Sequence, residues 1–187
     1  MVYFLDASHF VLGSFLGWIW CFARMFVRAA SGRQRYNVLG ALNAVTHELI
    51  TVINTTYINA ESVCALLRKL AVVGQQVPIT LVLDNARYQR CTLVQNLAKE
   101  LGIELLFLPS YSPNLNLIER LWKFLRKEAL QKWHPTFEDM QQAVADVLDN
   151  LPQYRTQLDT LMTERFHLTP VASTIIVGVG TATKQVA

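Results

Sequence analysis

The chain has 187 residues, 52% of them hydrophobic, and its 17 Lys and Arg residues against 14 Asp and Glu residues give a net charge of +3. That apolar content excludes general disorder, and the length indicates one main domain. The charge is too small to establish nucleic-acid binding, which depends on a local basic patch. Three widely spaced cysteines without a CxxC pair, Cys21, Cys64 and Cys91, favour free thiols in a reducing compartment over a disulfide framework or a zinc site.

The apolar stretch at residues 10–30 resembles a membrane segment at first sight. Its uncharged part runs from Phe10 to Ala23, which is shorter than the roughly 20 residues that a spanning helix needs. Arg24 and Arg28 follow it, and no basic segment precedes it as in a signal peptide. We therefore interpret the stretch as packed on the core and expect a cytoplasmic protein.

The first half of the chain predicts three strands and a helix. An apolar opening strand at residues 2–5 leads into Asp6, and the β-branched runs at 35–45 and 48–54 indicate a hairpin. A helix is predicted from an Asn59 cap to a stop at Gly74, because apolar residues recur at helical spacing between them.

The second half alternates strands with helices. A strand at 78–84 ends in Asp84, and a loop with Pro109 and Pro113 precedes a strongly amphipathic helix. The remaining predicted elements are a helix at 91–102, a strand at 103–108, the amphipathic helix at 117–133 and a helix at 136–151 capped by Thr136.

This order predicts an α/β fold with a mixed sheet. Three strands joined as antiparallel neighbours come first, and parallel βα units follow, so helices are expected to flank the sheet. Residues 1–169 form the predicted domain. The tail at 170–187 is small, β-branched and almost uncharged, and no role is assigned to it.

Three acidic residues mark the ends of predicted elements: Asp6 and Asp84 follow strands, and Glu119 lies in the first turns of the amphipathic helix. Glu119 borders an apolar stripe, so it is expected at the interior edge of the sheet where the strands deliver the two aspartates. Mg²⁺ prefers oxygen ligands, and two such ions can serve an in-line phosphoryl displacement. Each acid alone has an ordinary explanation as a turn former or a partner of the helix dipole. Together they favour a metal site.

The segments FLDASHF, VLDNARYQR and LPSYSPNLNLIERLWKFLRK resemble the three signature blocks of the DDE transposase catalytic domain, nearest to insertion-sequence transposases related to the Tc/mariner superfamily. The 34 residues between Asp84 and Glu119 match a characteristic of that branch. The resemblance covers residues 2–169 and implies an RNase H-like fold, with Asp6, Asp84 and Glu119 as a catalytic triad that binds two Mg²⁺ ions, for which Mn²⁺ can substitute. It further implies cleavage of double-stranded DNA at transposon ends and attack of the freed 3′-OH on target DNA, by a homodimer assembled on DNA and associated with the nucleoid.

The chain departs from the family pattern at three places. Gln89 stands where many relatives carry His, which puts an auxiliary role of that histidine in doubt, and Leu117 stands where Pro is common. Asp6 comes five residues after the start, whereas relatives carry helix-turn-helix modules before the catalytic domain. We therefore expect a catalytic fragment, or one reading frame of a split gene, that lacks specific recognition of transposon ends.

Residues around the triad each have two interpretations. Asn85 either orients a metal-bound water or a phosphate, or forms an Asx turn, and Trp122 either walls the site or belongs to the core. For His9 a structural role is favoured, because Mg²⁺ prefers oxygen. Basic residues near the second and third acids either contact DNA phosphates or form a solvated surface: Arg87, Arg90, Arg120, Lys123, Arg126 and Lys127.

Two other functions remain open at this stage. One keeps the fold and makes the protein an RNase H-like nuclease or junction resolvase, against which the 34-residue spacing and the proline loop count. The other is a domesticated or truncated element that binds DNA or a partner without cleavage. The three acids count against that interpretation, while the absent DNA-binding module favours it.

Overall fold

The structure, a computed structural model, describes residues 1–12, 34–74, 77–109 and 115–162. These residues contain five strands: β1 (Val2–Val11), β2 (Arg35–Asn43), β3 (Leu49–Asn54), β4 (Ile79–Leu83) and β5 (Ile103–Phe107). They also contain five α-helices and a 3-10 helix at Leu151–Tyr154. The α-helices are α1 (Ala60–Val73), α2 (Thr92–Glu100), α3 (Ile118–Ala129), α4 (Phe137–Asp149) and α5 (Arg155–Leu161).

The five strands form one mixed sheet in the order β3-β2-β1-β4-β5. β1 is antiparallel to β2, and β2 is antiparallel to β3. β4 is parallel to both β1 and β5. The predicted α/β class is therefore confirmed, with antiparallel strands first in the chain and parallel βα units after them.

β1 is longer than the predicted strand at 2–5, so Asp6 lies inside the strand and the expectation that it follows the strand end is wrong. The parallel ladder with β4 reaches only the pair of Phe4 with Val82. The antiparallel ladder with β2 continues as far as Val11, opposite Arg35. Pairing with one neighbour thus extends β1 past the point at which its other neighbour stops.

The predicted helix caps are present. The Asn59 side chain accepts a hydrogen bond from the Ser62 backbone at the start of α1, and Thr136 makes the equivalent bond at the start of α4. α3 ends at Ala129 and is shorter than predicted, and the His134 ring lies 2.7 Å from the Ala129 carbonyl oxygen that the helix end leaves free. The 3-10 helix and α5 were not predicted.

Helices cover both faces of the sheet. α1 and α2 pack on one face around a cluster of buried aliphatic side chains, and α3 and α4 pack on the other. Cys64 and Cys91 are free thiols, as expected, and Cys21 lies outside the described residues. Within the described segments, no helix combines the length and apolar character that crossing a membrane requires. The predictions for residues 13–30 and for the tail at 170–187 lie outside the described residues.

Candidate active site

Asp6 and Asp84 hold equivalent positions on neighbouring parallel strands. Each comes two residues after the last pair of the β1–β4 ladder, Phe4 with Val82. Side chains alternate between the two faces of a sheet, so both aspartates are expected on the face of Phe4 and Val82, which pack in a common apolar cluster. Asp84 follows the last residue of β4, and its Oδ1 accepts a 3.0 Å bond from the Ala86 backbone N–H as an Asx turn.

Glu119 lies in the first turn of α3, the helix that packs over the same face. Burial raises the pKa of Asp6 from 3.8 to about 7, and the negative charges of Glu119 and Asp84 add to the rise, while hydrogen bonds from Ala7 and Trp122 oppose it. The fold therefore brings Asp84 and Glu119 close enough to Asp6 for their charges to affect its pKa. In the chain the three acids lie 78 and 35 positions apart (84 − 6 and 119 − 84).

The donor chemistry of this neighbourhood fits a hard divalent cation, because all three candidate ligands are carboxylates. The raised pKa of Asp6 reflects burial and like-charge crowding, both of which a bound cation would offset. The fit is one of chemistry and not of distance. In the described ranges, no three acidic, His or Cys side chains are close enough to hold a single ion.

Trp122 contacts the first acid directly. Its indole Nε1–H donates to Asp6 Oδ2 over 3.1 Å, and the ring is fully buried. The ring packs against Gly40, the residue opposite Asp6 on β2, so closely that a Cβ at position 40 would lie 2.8 Å from the indole Cη2. Trp122 is therefore a core residue, as one interpretation held, and also a hydrogen-bond partner of the candidate acid.

Two further side chains, one just before α3 and one on it, form hydrogen bonds to β1, and neither contact was predicted. The Asn116 Nδ2 group donates to the Leu5 carbonyl oxygen over 3.1 Å. Arg126 Nη2 donates to Ser8 Oγ over 2.9 Å, and Ser8 is fully buried on β1. A strand buried on both faces is usually a continuous hydrophobic run, so the polar residues within FLDASHF were a weak indication that β1 has polar partners.

The six basic residues predicted as DNA contacts divide into two groups. Arg87, Arg90, Lys123 and Lys127 are exposed, and the Arg90 guanidinium lies 5.6 Å from the centre of the Phe107 ring. Arg126 and Arg120 are partly buried and make contacts within the protein: Arg126 with Ser8, and Arg120 through a 3.0 Å bond from Nη1 to the Leu161 carbonyl oxygen.

Asn85 and His9 both make structural contacts. The Asn85 side-chain amide donates to the Leu108 carbonyl oxygen next to β5, and the Asx turn at this corner belongs to Asp84 instead. His9 Nδ1 lies 2.7 Å from the Asn37 Oδ1 atom on β2, which agrees with the structural role favoured for it.

Tyr88 and Gln89 lie next to the second acid. Burial raises the pKa of Tyr88 to about 12, and the charges of Asp84 and Asp6 add to this rise, which places the phenol near the acids. Gln89 opposes the rise. The Gln89 side chain is fully buried, yet within the described residues neither its nitrogen nor its oxygen meets hydrogen-bond geometry with a partner. No feature of the sequence predicted that Tyr88 lies near the acids.

Comparison with known proteins agrees with this fold. The sequence profile of the family described as DDE superfamily endonuclease matches residues 1–141. A search of curated proteins finds no significant match. The chain in the pre-cleavage Mos1 transpososome is 13% identical, with a TM-score of 0.57 and coverage of 89% of this chain and 57% of that one. For the Mos1 transposase catalytic domain with Raltegravir and Mg, the identity is 12%, the TM-score 0.57, and the coverage 89% and 85%.

Retroviral integrases are similar as well. The HTLV-2 integrase catalytic core domain in complex with magnesium is 13% identical, with a TM-score of 0.52 and coverage of 81% of this chain and 86% of that one. At these identities the likeness shows the fold, which is the RNase H-like fold of transposase and integrase catalytic domains. The chain spans about half the length of the chains matched in the simian T-cell lymphotropic virus intasome and the Mos1 transpososome, 47% and 57% respectively.

Proposed function

Because the chain belongs to the family of DDE superfamily endonucleases, we propose that Asp6, Asp84 and Glu119 are the catalytic acids of a transposase domain. In this proposal the domain cleaves double-stranded DNA at transposon ends and joins the freed 3′-OH to target DNA. The observation that supports it most strongly is geometric: Asp6 and Asp84 hold equivalent positions on neighbouring parallel strands, and α3, which carries Glu119, contacts Asp6 through Trp122. The raised pKa of Asp6, to which the charges of the other two acids contribute, agrees with this arrangement. Assembly as a homodimer on paired ends, at the nucleoid, is part of the same proposal.

The three carboxylates are proposed to hold two Mg²⁺ ions, with Mn²⁺ as a substitute. When bound, such ions activate the attacking oxygen and stabilise the leaving oxygen of a phosphoryl displacement. Asp6 Oδ2 already accepts the indole N–H of Trp122, so Asp6 would hold an ion mainly through Oδ1. The Asx turn fixes Asp84 in a similar way, since its Oδ1 accepts the Ala86 N–H. Both aspartates thus retain one oxygen that is not used by these bonds.

The DNA backbone is proposed to lie along the exposed basic residues near the acids. Lys123 and Lys127 are one turn apart on the exposed side of α3, and Arg87 and Arg90 follow Asp84 in the chain. Cationic side chains that contact phosphates release counterions, so binding should weaken steeply with salt. We leave Arg120 and Arg126 out of this surface, because both side chains bond within the protein.

The proposal is tested by strand transfer with purified protein. A duplex oligonucleotide with a free 3′-OH is incubated with supercoiled plasmid and Mn²⁺, and joined and nicked products are quantified on gels. We expect products with wild type and a loss of at least about a hundredfold with Asp84→Asn, because removing one member of a catalytic unit abolishes most of its effect. Asp149→Asn, an exposed aspartate at the end of α4, is the matched control and should retain activity.

Other outcomes separate the alternatives. Salt-sensitive DNA binding without any product would favour a domesticated or truncated element. Cleavage of an RNA–DNA hybrid or a four-way junction, in preference to the duplex, would favour a ribonuclease H or a resolvase. Products that persist at wild-type level in Asp84→Asn would refute the assignment of the acids.

A further inference from the structure

Three side chains, two on α3 and one just before it, donate hydrogen bonds to successive residues of β1. Asn116, two residues before the helix, reaches the Leu5 carbonyl oxygen. Trp122 reaches Asp6 Oδ2, and Arg126 reaches Ser8 Oγ. The donors and the acceptors follow the same order along their elements, so the bonds form a ladder between α3 and β1.

The spacing of the ladder matches the two elements it joins. From Trp122 to Arg126 the helix rises about 6 Å, at 1.5 Å per residue. From Asp6 to Ser8 the strand rises about 6.6 Å and returns to the same face of the sheet. The two bonds can therefore be satisfied together with α3 running along β1, whereas a shift of the helix by one residue would break both.

Close packing against β2 holds Trp122, the middle donor of the ladder, in place. The Trp122 ring lies against Gly40, the residue paired with Asp6 on β2, with no space for a Cβ between them. The ring cannot retreat from Asp6 toward the sheet. Its N–H is therefore directed at a defined oxygen, Oδ2, of a carboxylate that is itself largely buried.

We propose that Asn116, Trp122 and Arg126 are positioning residues that orient the Asp6 carboxylate and set the place of Glu119 along the sheet. Glu119 is three residues before Trp122 on α3 and so lies on a neighbouring part of the same helix surface, about 4.5 Å along the axis. Fixing the tryptophan therefore fixes the acid. This inference rests on the proposed function, and it assigns to Arg126 a role inside the protein in place of the DNA contact predicted for it.

The test compares Mn²⁺ binding by Trp122→Phe and Trp133→Phe. Phenylalanine keeps an aromatic ring at position 122 but removes the N–H donor. Trp133 is about half exposed just after α3, so its replacement is the matched control. Free Mn²⁺ is measured by electron paramagnetic resonance at pH 8, with Asp84→Asn to define specific binding, and the Tm of each variant is recorded alongside. We expect a Kd at least about tenfold higher for Trp122→Phe, as for other residues that orient metal ligands, and no change for Trp133→Phe.

A second measurement uses wild type and does not require the variant to fold. The indole N–H signals of the four tryptophans are followed by ¹⁵N NMR during Mg²⁺ addition and then with traces of Mn²⁺. The Trp122 signal is assigned by elimination, after Trp→Phe substitution at the other three positions, 18, 20 and 133. The Trp122 signal is expected to shift with Mg²⁺ and to be broadened selectively by Mn²⁺, while the Trp133 signal stays unchanged.

The outcomes distinguish this inference from the proposed function. If wild type binds Mn²⁺ in a manner that depends on Asp84, but Trp122→Phe binds equally well or the wild-type Trp122 signal ignores the metal, the positioning role is refuted and the metal site stands. If wild type shows no Asp84-dependent Mn²⁺ binding, both the positioning role and the proposed metal chemistry fail.

Discussion

The two faces of the sheet are attached to their helices by different kinds of contact. On one face, α1 packs on the sheet through buried aliphatic side chains, which include Val63, Leu66, Leu67 and Leu70. On the other, α3 has an equally buried apolar side but also carries donors that bond to β1, of which Trp122 is the most buried. Apolar burial is strong and non-directional, whereas a hydrogen bond adds about 1 kcal/mol and fixes atoms to a narrow range of distance and angle. Both faces therefore supply stability through apolar burial, and the second also supplies position through donors that are buried or half-buried. On the first face, Lys69 of α1 donates to the Thr51 carbonyl oxygen of β3, but from an exposed position.

The largest predicted effect on stability comes from the face of the sheet that α1 covers. Leu67→Ala should lower the free energy of unfolding by about 2 to 5 kcal/mol, because it removes buried methyl groups and leaves a cavity in a fully buried cluster. Urea unfolding followed by circular dichroism measures the loss. Val72→Ala on the same helix is the control, since Val72 is largely exposed and should change stability by less than about 0.5 kcal/mol. Equal effects of the two substitutions would contradict the assignment of this stability to the buried side chains of α1.

The next effect is a dependence of stability on pH that belongs to the acidic face. The folded pKa of Asp6 lies above its ordinary value, so the folded state binds a proton more tightly than the unfolded chain between about pH 4 and pH 7. Stability contributed by this group is therefore present at low pH and lost as the pH rises through about 7. The predicted loss reaches about 4 kcal/mol, at about 1.4 kcal/mol per pKa unit.

Asp6→Asn should remove this dependence. Urea unfolding of wild type and variant between pH 4 and pH 8, in EDTA, measures the difference, and groups that titrate equally in both proteins cancel. The variant should become the more stable protein above pH 7, because Asn can still accept the Trp122 N–H without carrying a buried charge. Parallel stability curves for the two proteins would contradict the prediction.

The smallest effect sharpens the comparison at a buried polar side chain near the second acid. Gln89→Leu should raise the free energy of unfolding by about 1 kcal/mol, because an apolar group of similar size replaces a buried amide that makes no hydrogen bond of good geometry to any residue the structure describes. Gln157→Leu, at an exposed position on α5, serves as the control and should be close to neutral. Destabilisation by Gln89→Leu would show that the amide has a partner, such as a buried water.

Much of the fold could be predicted because its signals are local. The Asn59 and Thr136 caps, the stop at Gly74 and the apolar stripe of α3 all depend on residues within a few positions of one another. The placement of Asp84 just after a buried strand could be predicted for the same reason. The bounds of an element could be predicted from the sequence wherever they are set by residues within that element or next to it.

What could not be predicted depends on partners distant in the chain. Asp6 looked like the end of a strand, because only the pairing with β2 shows that β1 continues. The contacts of Asn116, Trp122 and Arg126 each span more than 110 residues, and no spacing rule identifies them. The predicted acids could be named from the sequence, but the side chains that hold them could not.

Gly40 carries no functional group, yet it is paired with the first acid across the β1–β2 ladder and packs against the indole that bonds to that acid. Any side chain at that position would collide with the indole that bonds to Asp6. A substitution there would displace the carboxylate without contacting it. Under the proposed function, activity would fall as if a catalytic residue had been changed, although the substituted residue lies on β2, which carries none of the three acids. A substitution at position 40 would therefore impair the proposed chemistry while all three acids stay intact.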